Sequence, residues 1–209
     1  MQHTQLVWDF PTRAFHWLLV LSFTGAYISG DSERYRDIHL ALGYLFAGLL
    51  LFRLIWGFMG THYARFSEFI YTPKQVVLYL RSLLNPQPIH YVGHNPAGAW
   101  MIFILLALGI TIALSGISLY WELGGESVAE DFLEELHEFA ANAMLAAVFI
   151  HIAGVVVSSV LHKENLPRSM VTGLKTLSEG KPIEHSYPIV GALLVLVSVG
   201  FVIGYLMIS

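Results

Sequence analysis

Hydrophobic residues in this chain gather into long unbroken runs, and polar residues fall into short stretches between them. No segment alternates with a period of two. Runs approaching or exceeding roughly 18 to 20 apolar residues suit helices that cross a hydrocarbon core, whereas barrel strands would have to alternate. The pattern predicts five helical spans, at about residues 12–30, 38–58, 97–120, 134–161 and 188–208. Residues 60–96 contain Pro73, Pro86 and Pro88, and the stretch from Lys74 to Leu84 reads as a short amphipathic helix at the membrane interface. No soluble domain is left over. No internal repeat is visible either, which disfavours an inverted-repeat transporter. The expected architecture is an all-α integral membrane protein. A four-helix transmembrane bundle occupies residues 1–175, and a linker with an extra C-terminal transmembrane helix occupies residues 176–209.

Composition supports this class and narrows the chemistry. Of 209 residues, 56% are hydrophobic and only 12% charged, a membrane composition. The first run follows a start with a single cation, Arg13, and has no small-residue cleavage signal, so a retained first span is expected rather than a signal peptide. There are no cysteines, which excludes disulfides, thiolate-bound iron–sulfur clusters and the C-x-x-C-H attachment of covalent haem; any haem here must be b-type. With the N-terminus on the cytoplasmic side, Arg13, Arg53, Arg65, Lys74, Arg81, Lys163, Arg168, Lys175 and Lys181 all fall inside, leaving only Arg34 and Arg36 of the eleven cations outside. The loop between the third and fourth spans carries Glu122, Glu126, Glu130, Asp131, Glu134 and Glu135 without Lys or Arg. It reads either as a dock for a cationic partner domain or as a solvated loop helix.

The chemistry concentrates in histidine. Of ten histidines, His16, His39, His137 and His151 fall within or at the ends of the spans. Ionisable side chains are costly in a membrane and usually functional there, and imidazole is the commonest ligand of haem iron. His137 and His151 are 14 residues apart, which brings them within about 40° of one helix face and separates them by roughly 21 Å along it. One helix thus offers ligands at two depths. The cation topology places His39 at the depth of His137 and His16 nearer that of His151. The pairs expected are therefore His39 with His137 outside and His16 with His151 inside, with tilt absorbing the unequal depths of the second pair. His94 and His162 are fallback inner ligands, and His3, His62, His90 and His185 read as surface histidines. Gly43 and Gly154, one turn from His39 and His151, suit close approach of backbones but serve plain helix packing equally well. Arg13 and Arg53 inside, and Arg36 outside, are candidates to pair with haem propionates or are simply interfacial topology determinants.

These residues lie in stretches that resemble a known family. VWDFPTRAFHW (7–17), HLALGYLFAGLLLFRLIWGFMG (39–60), GHNPAGAW (93–100), LEELHEFAANAMLAAVFIHIAG (133–154) and HKENLPRSMVTG (162–173) are together similar to the bacterial cytochrome b561 group and the b-type cytochrome subunit of nickel–iron hydrogenases. The resemblance implies a four-helix haem-binding bundle holding two haem b, with ligands from the first, second and fourth helices mapping onto His16, His39, His137 and His151. It also implies electron exchange between the quinone pool and a c-type cytochrome or hydrogenase in the respiratory chain of a bacterial inner membrane. The fifth span lies beyond the shared core. His162, Lys163, Asn165 and Arg168 are the candidate quinone cluster, or else a charged helix end anchoring the fourth span. No nucleic-acid partner is expected, and a homodimer is left open. Two rival readings remain: a self-contained quinone-linked membrane oxidoreductase acting on a small soluble redox substrate, and a non-redox ion or proton pathway lined by paired histidines.

Overall fold

The computed structural model describes residues 3–123, 128–177 and 181–209. In chain order it comprises strand β1 (His3–Leu6), α1 (Phe10–Ser29), α2 (Arg36–Met59), α3 (Pro73–Ser82), α4 (Pro96–Tyr120), α5 (Val128–Leu161), α6 (Leu166–Thr172), strand β2 (Leu174–Leu177) and α7 (Pro188–Ile208). The helix starts are written in the sequence. Asp9, Asn95 and Asn165 each accept a hydrogen bond from the backbone N–H three residues on, at 2.7, 2.8 and 2.8 Å, and each has a proline within the first two helical positions. Thr72 and Gln75 form a capping box on α3, the short amphipathic helix expected between the second and third spans.

Four helices are long and apolar enough to cross a membrane: α2 with the turn before it, α4, α5 and α7. The expected first span, α1, is of comparable length but falls short in apolarity, because Arg13 and His16 lie within its first two turns. It packs along α2 and α7, α2 packs on α4, and α4 runs along α5. Phe23, Phe46, Leu50, Leu106 and Met144 form the core between them. Large apolar side chains such as Leu21, Ile28, Phe58, Phe149, Ile189 and Met207 point outward and exposed. That is unfavourable in water and suited to lipid.

Two features depart from the expected all-α arrangement and boundaries. First, β1 and β2 pair antiparallel, with His3 opposite Leu177 and Leu6 opposite Leu174. Gly173 makes the turn into β2 with φ +83, and a Cβ there would sit 2.6 Å from the Trp8 carbonyl oxygen, so only glycine fits. Second, α5 begins at Val128 rather than near residue 134. Glu130, Asp131, Glu134 and Glu135 therefore lie on its first two turns and not in a loop; Glu126 lies outside the described residues. The ends of the bundle also differ from each other. The ribbon, α3, α6 and the segments around residues 60–70 and 181–187 close one end with a small second core of Val7, Trp8, Tyr63 and Ile183. Residues 181–187, within the expected linker, are tied to this cap: Ile183 N–H donates to Leu6 O (3.0 Å), Tyr63 Oη donates to Lys181 O (2.9 Å), and Phe10 N–H donates to Ser186 O (2.9 Å).

Candidate cofactor site

His39, on the first turn of α2, and His137, in the third turn of α5, face one another with ring centroids 6.2 Å apart and planes 70° apart. Each ring is held by a helix other than its own. His39 Nδ1 lies 2.9 Å from Ala26 O of α1, and His137 Nδ1 lies 3.0 Å from both Ile112 O and Ser115 Oγ of α4. A carbonyl can only accept, so Nδ1 carries the proton in both rings and Nε2 keeps its lone pair, the tautomer of a metal-ligating histidine. A metal–imidazole bond of about 2 Å on each side, plus the ring radius, sets two axial rings on one iron about 6 Å apart centre to centre. The pair fits that requirement. It borders an apolar cleft lined by Phe23, Tyr27, Gly43, Tyr44, Ile112 and Tyr120 among others. A Cβ on Gly43 would meet nothing within 4 Å, whereas one on Gly116 would come within 2.9 Å of His137 Cε1, so glycine leaves room for the ring.

At the capped end, His16 of α1 and His151 of α5 lie close enough for their charges to interact. His16 Nδ1 is buried with no partner among the described residues, and a Cβ on Gly154, three residues past His151, would meet nothing within 4 Å. The expected carboxylate partners are distributed unevenly. Arg53 is only 5% exposed; its guanidinium lies 4.6 Å above the Phe66 ring, and Nη1 has no partner. Arg13 donates to Val171 O (2.6 Å) and lies over Phe10, while Arg36 is exposed at the start of α2. Asp9 lies near Arg53. It is fully buried and accepts from Thr12 N–H (2.7 Å), Trp56 Nε1 (3.1 Å) and Thr61 Oγ1 (2.5 Å).

His94, considered only as a fallback, packs between Trp8 (4.7 Å) and Phe69 (4.5 Å), with Nδ1 buried and unpartnered. Burial, reinforced by the charges of Arg53 and Lys175, pushes its pKa down to about 3 and keeps it neutral. The candidate quinone residues lie together at the α5–α6 junction, but Asn165 Oδ1 is committed to capping α6. Lys163 sits at φ +54, and His162 packs its ring 5.3 Å from His90. Between them Glu164 binds His90 Nε2 (2.6 Å) and Lys175 Nζ (2.9 Å), and Lys175 is itself buried. Burial alone would raise the Glu164 pKa; Lys175 and His90 outweigh it and hold the carboxyl below its ordinary range. His62 pairs with Glu68 at 3.3 Å near the surface. Sequence reasoning missed Asp9 and Lys175. The Asp-Phe-Pro-Thr run announces a helix cap, but nothing local announces that Trp56 and Thr61 converge on the same carboxylate.

A lipid-exposed helical bundle carrying a facing pair of histidines beside a cleft defines a membrane protein that takes a prosthetic group between its helices. The chain belongs to the prokaryotic cytochrome b561 family, whose model matches residues 7–173. The family binds b-type haem, and this chain is a multi-pass membrane cytochrome b of electron transport. A probable Ni/Fe-hydrogenase B-type cytochrome subunit of Rhizobium leguminosarum bv. viciae is 27% identical over 80% of this chain and 87% of its own length. One of Rhodobacter capsulatus is 25% identical over 84% and 82%. A probable Ni/Fe-hydrogenase 1 B-type cytochrome subunit of Escherichia coli (strain K12) is 28% identical over 56% and 60%. No solved structure matches the chain.

Proposed function

We propose that the chain is a di-haem cytochrome b that passes electrons between the quinone pool and a partner redox protein, a hydrogenase in the light of its relatives. The observation that carries this reading is the His39–His137 pair, two rings fixed through Nδ1 and set 6.2 Å apart beside an apolar cleft. His39 and His137 hold the outer haem; His16 and His151 hold the inner one. Haem b supplies one-electron storage and relay when bound. Hydrogen bonds from neighbouring helices fix the His39 and His137 rings, aromatic side chains exclude water, and Arg13, Arg53 and, outside, Arg36 would meet the carboxylates of a bound haem. The quinone binds at the capped end near His162, Lys163, Asn165 and Arg168. The acidic first turns of α5, at the opposite end, receive the partner by charge complementarity.

Pairing in the cap supports a membrane arrangement. β1 precedes α1 and β2 follows α5, yet they hydrogen-bond directly, so an even number of crossings separates them. Asp9 likewise bonds Trp56 and Thr61, which places the start of α1 beside the end of α2. With α2, α4 and α5 crossing, this pairing supports α1 as the fourth crossing and α7 as the fifth. Nine cations cluster at the capped end or in the segments leading from it, which supports a cytoplasmic position for that end in a bacterial inner membrane.

The test is a pyridine haemochrome titration and reduced-minus-oxidised spectrum of the detergent-purified chain and of His16→Ala, His39→Ala, His137→Ala and His151→Ala. Two b haems per chain are expected, with the same haem lost within each pair. One haem per chain breaks a pairing. No haem returns the histidines to an ion pathway, and quinone-linked turnover of the isolated chain against a small soluble redox partner would mark a self-contained enzyme.

A further inference from the structure

Buried polar atoms without partners concentrate in one part of this molecule. Seven such side-chain atoms occur among the described residues, and all lie at the capped end of the bundle: Gln5 and Arg65 within the cap, and five more on Thr12, Arg13 (Nε), His16, Arg53 (Nη1) and His94. Four of the five are nitrogens that donate as N–H or are able to do so, and the fifth is the hydroxyl of Thr12, itself only 8% exposed. Arg53 is the anchor. It is a permanent cation near the membrane end of α2. Its only nearby carboxylate among the described residues, Asp9, already accepts three hydrogen bonds from Thr12, Trp56 and Thr61. Arg13 adds a second cation near Asp9. Lys175 and Glu164 pair with each other and leave that excess unchanged.

A surplus of buried donors and one surplus positive charge calls for an anion with several acceptor oxygens. Arg53 lies over Phe66, Phe66 packs on Phe69 and Phe69 on His94, whose ring also feels the charge of His151, so the cluster borders the inner histidine pair. The outer cleft is built differently: no Lys or Arg is among the described residues that line it. Its nearest candidate cation, Arg36, is solvent-exposed and therefore screened.

We propose that Arg53, with Thr12 and His94 beside it, forms an anion cradle that takes a carboxylate of the inner haem and makes that haem the higher-potential of the two. This rests on the two-haem reading above. A buried positive charge stabilises the reduced centre, which carries one more electron, and burial keeps that effect from being screened.

The experiment is a potentiometric titration of the holoprotein, with resonance Raman of the propionate-bending band, on wild type, Arg53→Gln and Arg53→Lys. The His16→Ala and His39→Ala variants each leave one haem and so assign the midpoints. The inner midpoint is expected to be the higher in wild type, to fall in Arg53→Gln so that the gap between the two haems narrows, and to fall less in Arg53→Lys. The outer midpoint stays in place, and only the inner propionate band moves. Should Arg53→Gln not accumulate, His94→Gln carries the same prediction for the inner band. An inner midpoint at or below the outer, a shift confined to the outer haem, or an unmoved band overturns the cradle. A wild-type chain with a single haem that is lost in His16→Ala breaks the two-haem reading while Arg53→Gln still decides the cradle. A single haem that survives both His16→Ala and His151→Ala overturns both.

Discussion

Replacing Gly116 with alanine tests the outer pair without touching a histidine. The new Cβ would stand 2.9 Å from His137 Cε1 and 3.2 Å from its Nδ1. Carbon atoms pack favourably at about 3.5 to 4.0 Å, so the ring has to retreat by about 0.6 Å or more. Metal–ligand distances tolerate only about ±0.2 Å, so a displacement of that size is too large to absorb in the axial bond. The same movement acts on the hydrogen bonds from Nδ1, now 3.0 Å from Ile112 O and Ser115 Oγ, a loss of about 0.5 to 1.5 kcal/mol in orienting energy for each bond broken. The expected result is a chain that keeps its inner haem and either loses the outer one or converts it to a high-spin form, read by haem stoichiometry and low-temperature EPR. Gly200→Ala is the control, because a Cβ there meets nothing within 4 Å. It should leave both haems as in wild type. An outer haem in Gly116→Ala with unchanged low-spin signals would refute the reasoning.

Two further outcomes follow from the cap. Asp9→Ala removes the acceptor of three hydrogen bonds and leaves Arg53 buried without its nearby carboxylate; a loss of about 3 to 5 kcal/mol is expected, seen as a large drop in the thermal midpoint in detergent. An unshifted midpoint would show the network to be incidental. Glu164 has a folded pKa below its ordinary 4.5, so the stability it contributes is full above that value and is lost as pH falls through the depressed folded pKa. Hydrogen exchange of residues 162–177 should therefore accelerate as pH is lowered below about 4.5 relative to Glu164→Gln, after correction for intrinsic exchange. Equal acid response in both chains would remove Glu164 from that role.

What the sequence disclosed depended on the range of the interactions involved. Helices α2, α4, α5 and α7 were legible because each carries its own apolar length, and the meeting of His39 with His137 was legible as proximity because helical rise and cation topology are local quantities. The paired strands were not, since four residues on each side have no alternation to show, and β1 and the turn after it are held by Gly173 and Ile183, far from them in the chain. The surroundings of His94 were hidden for the same reason: Trp8 and Phe69 come from separate segments. Asn165 can be read in two ways from the sequence. A polar residue beside a span end invites a binding role, and the Asn-Leu-Pro run also spells a helix cap, which is the job the fold gives it.

The cross-helix anchoring of the two outer histidines also bears on assembly. His39 is oriented by a carbonyl of α1 and His137 by a carbonyl of α4, so two ligands from two helices require four helices in register before either ring points correctly. A nascent chain inserted as far as α4 has His39 set and no opposing ring. On the two-haem reading, cofactor capture at this site would come only after α5 has inserted, and the absorption of the outer haem would serve as a readout of membrane biogenesis as much as of redox state.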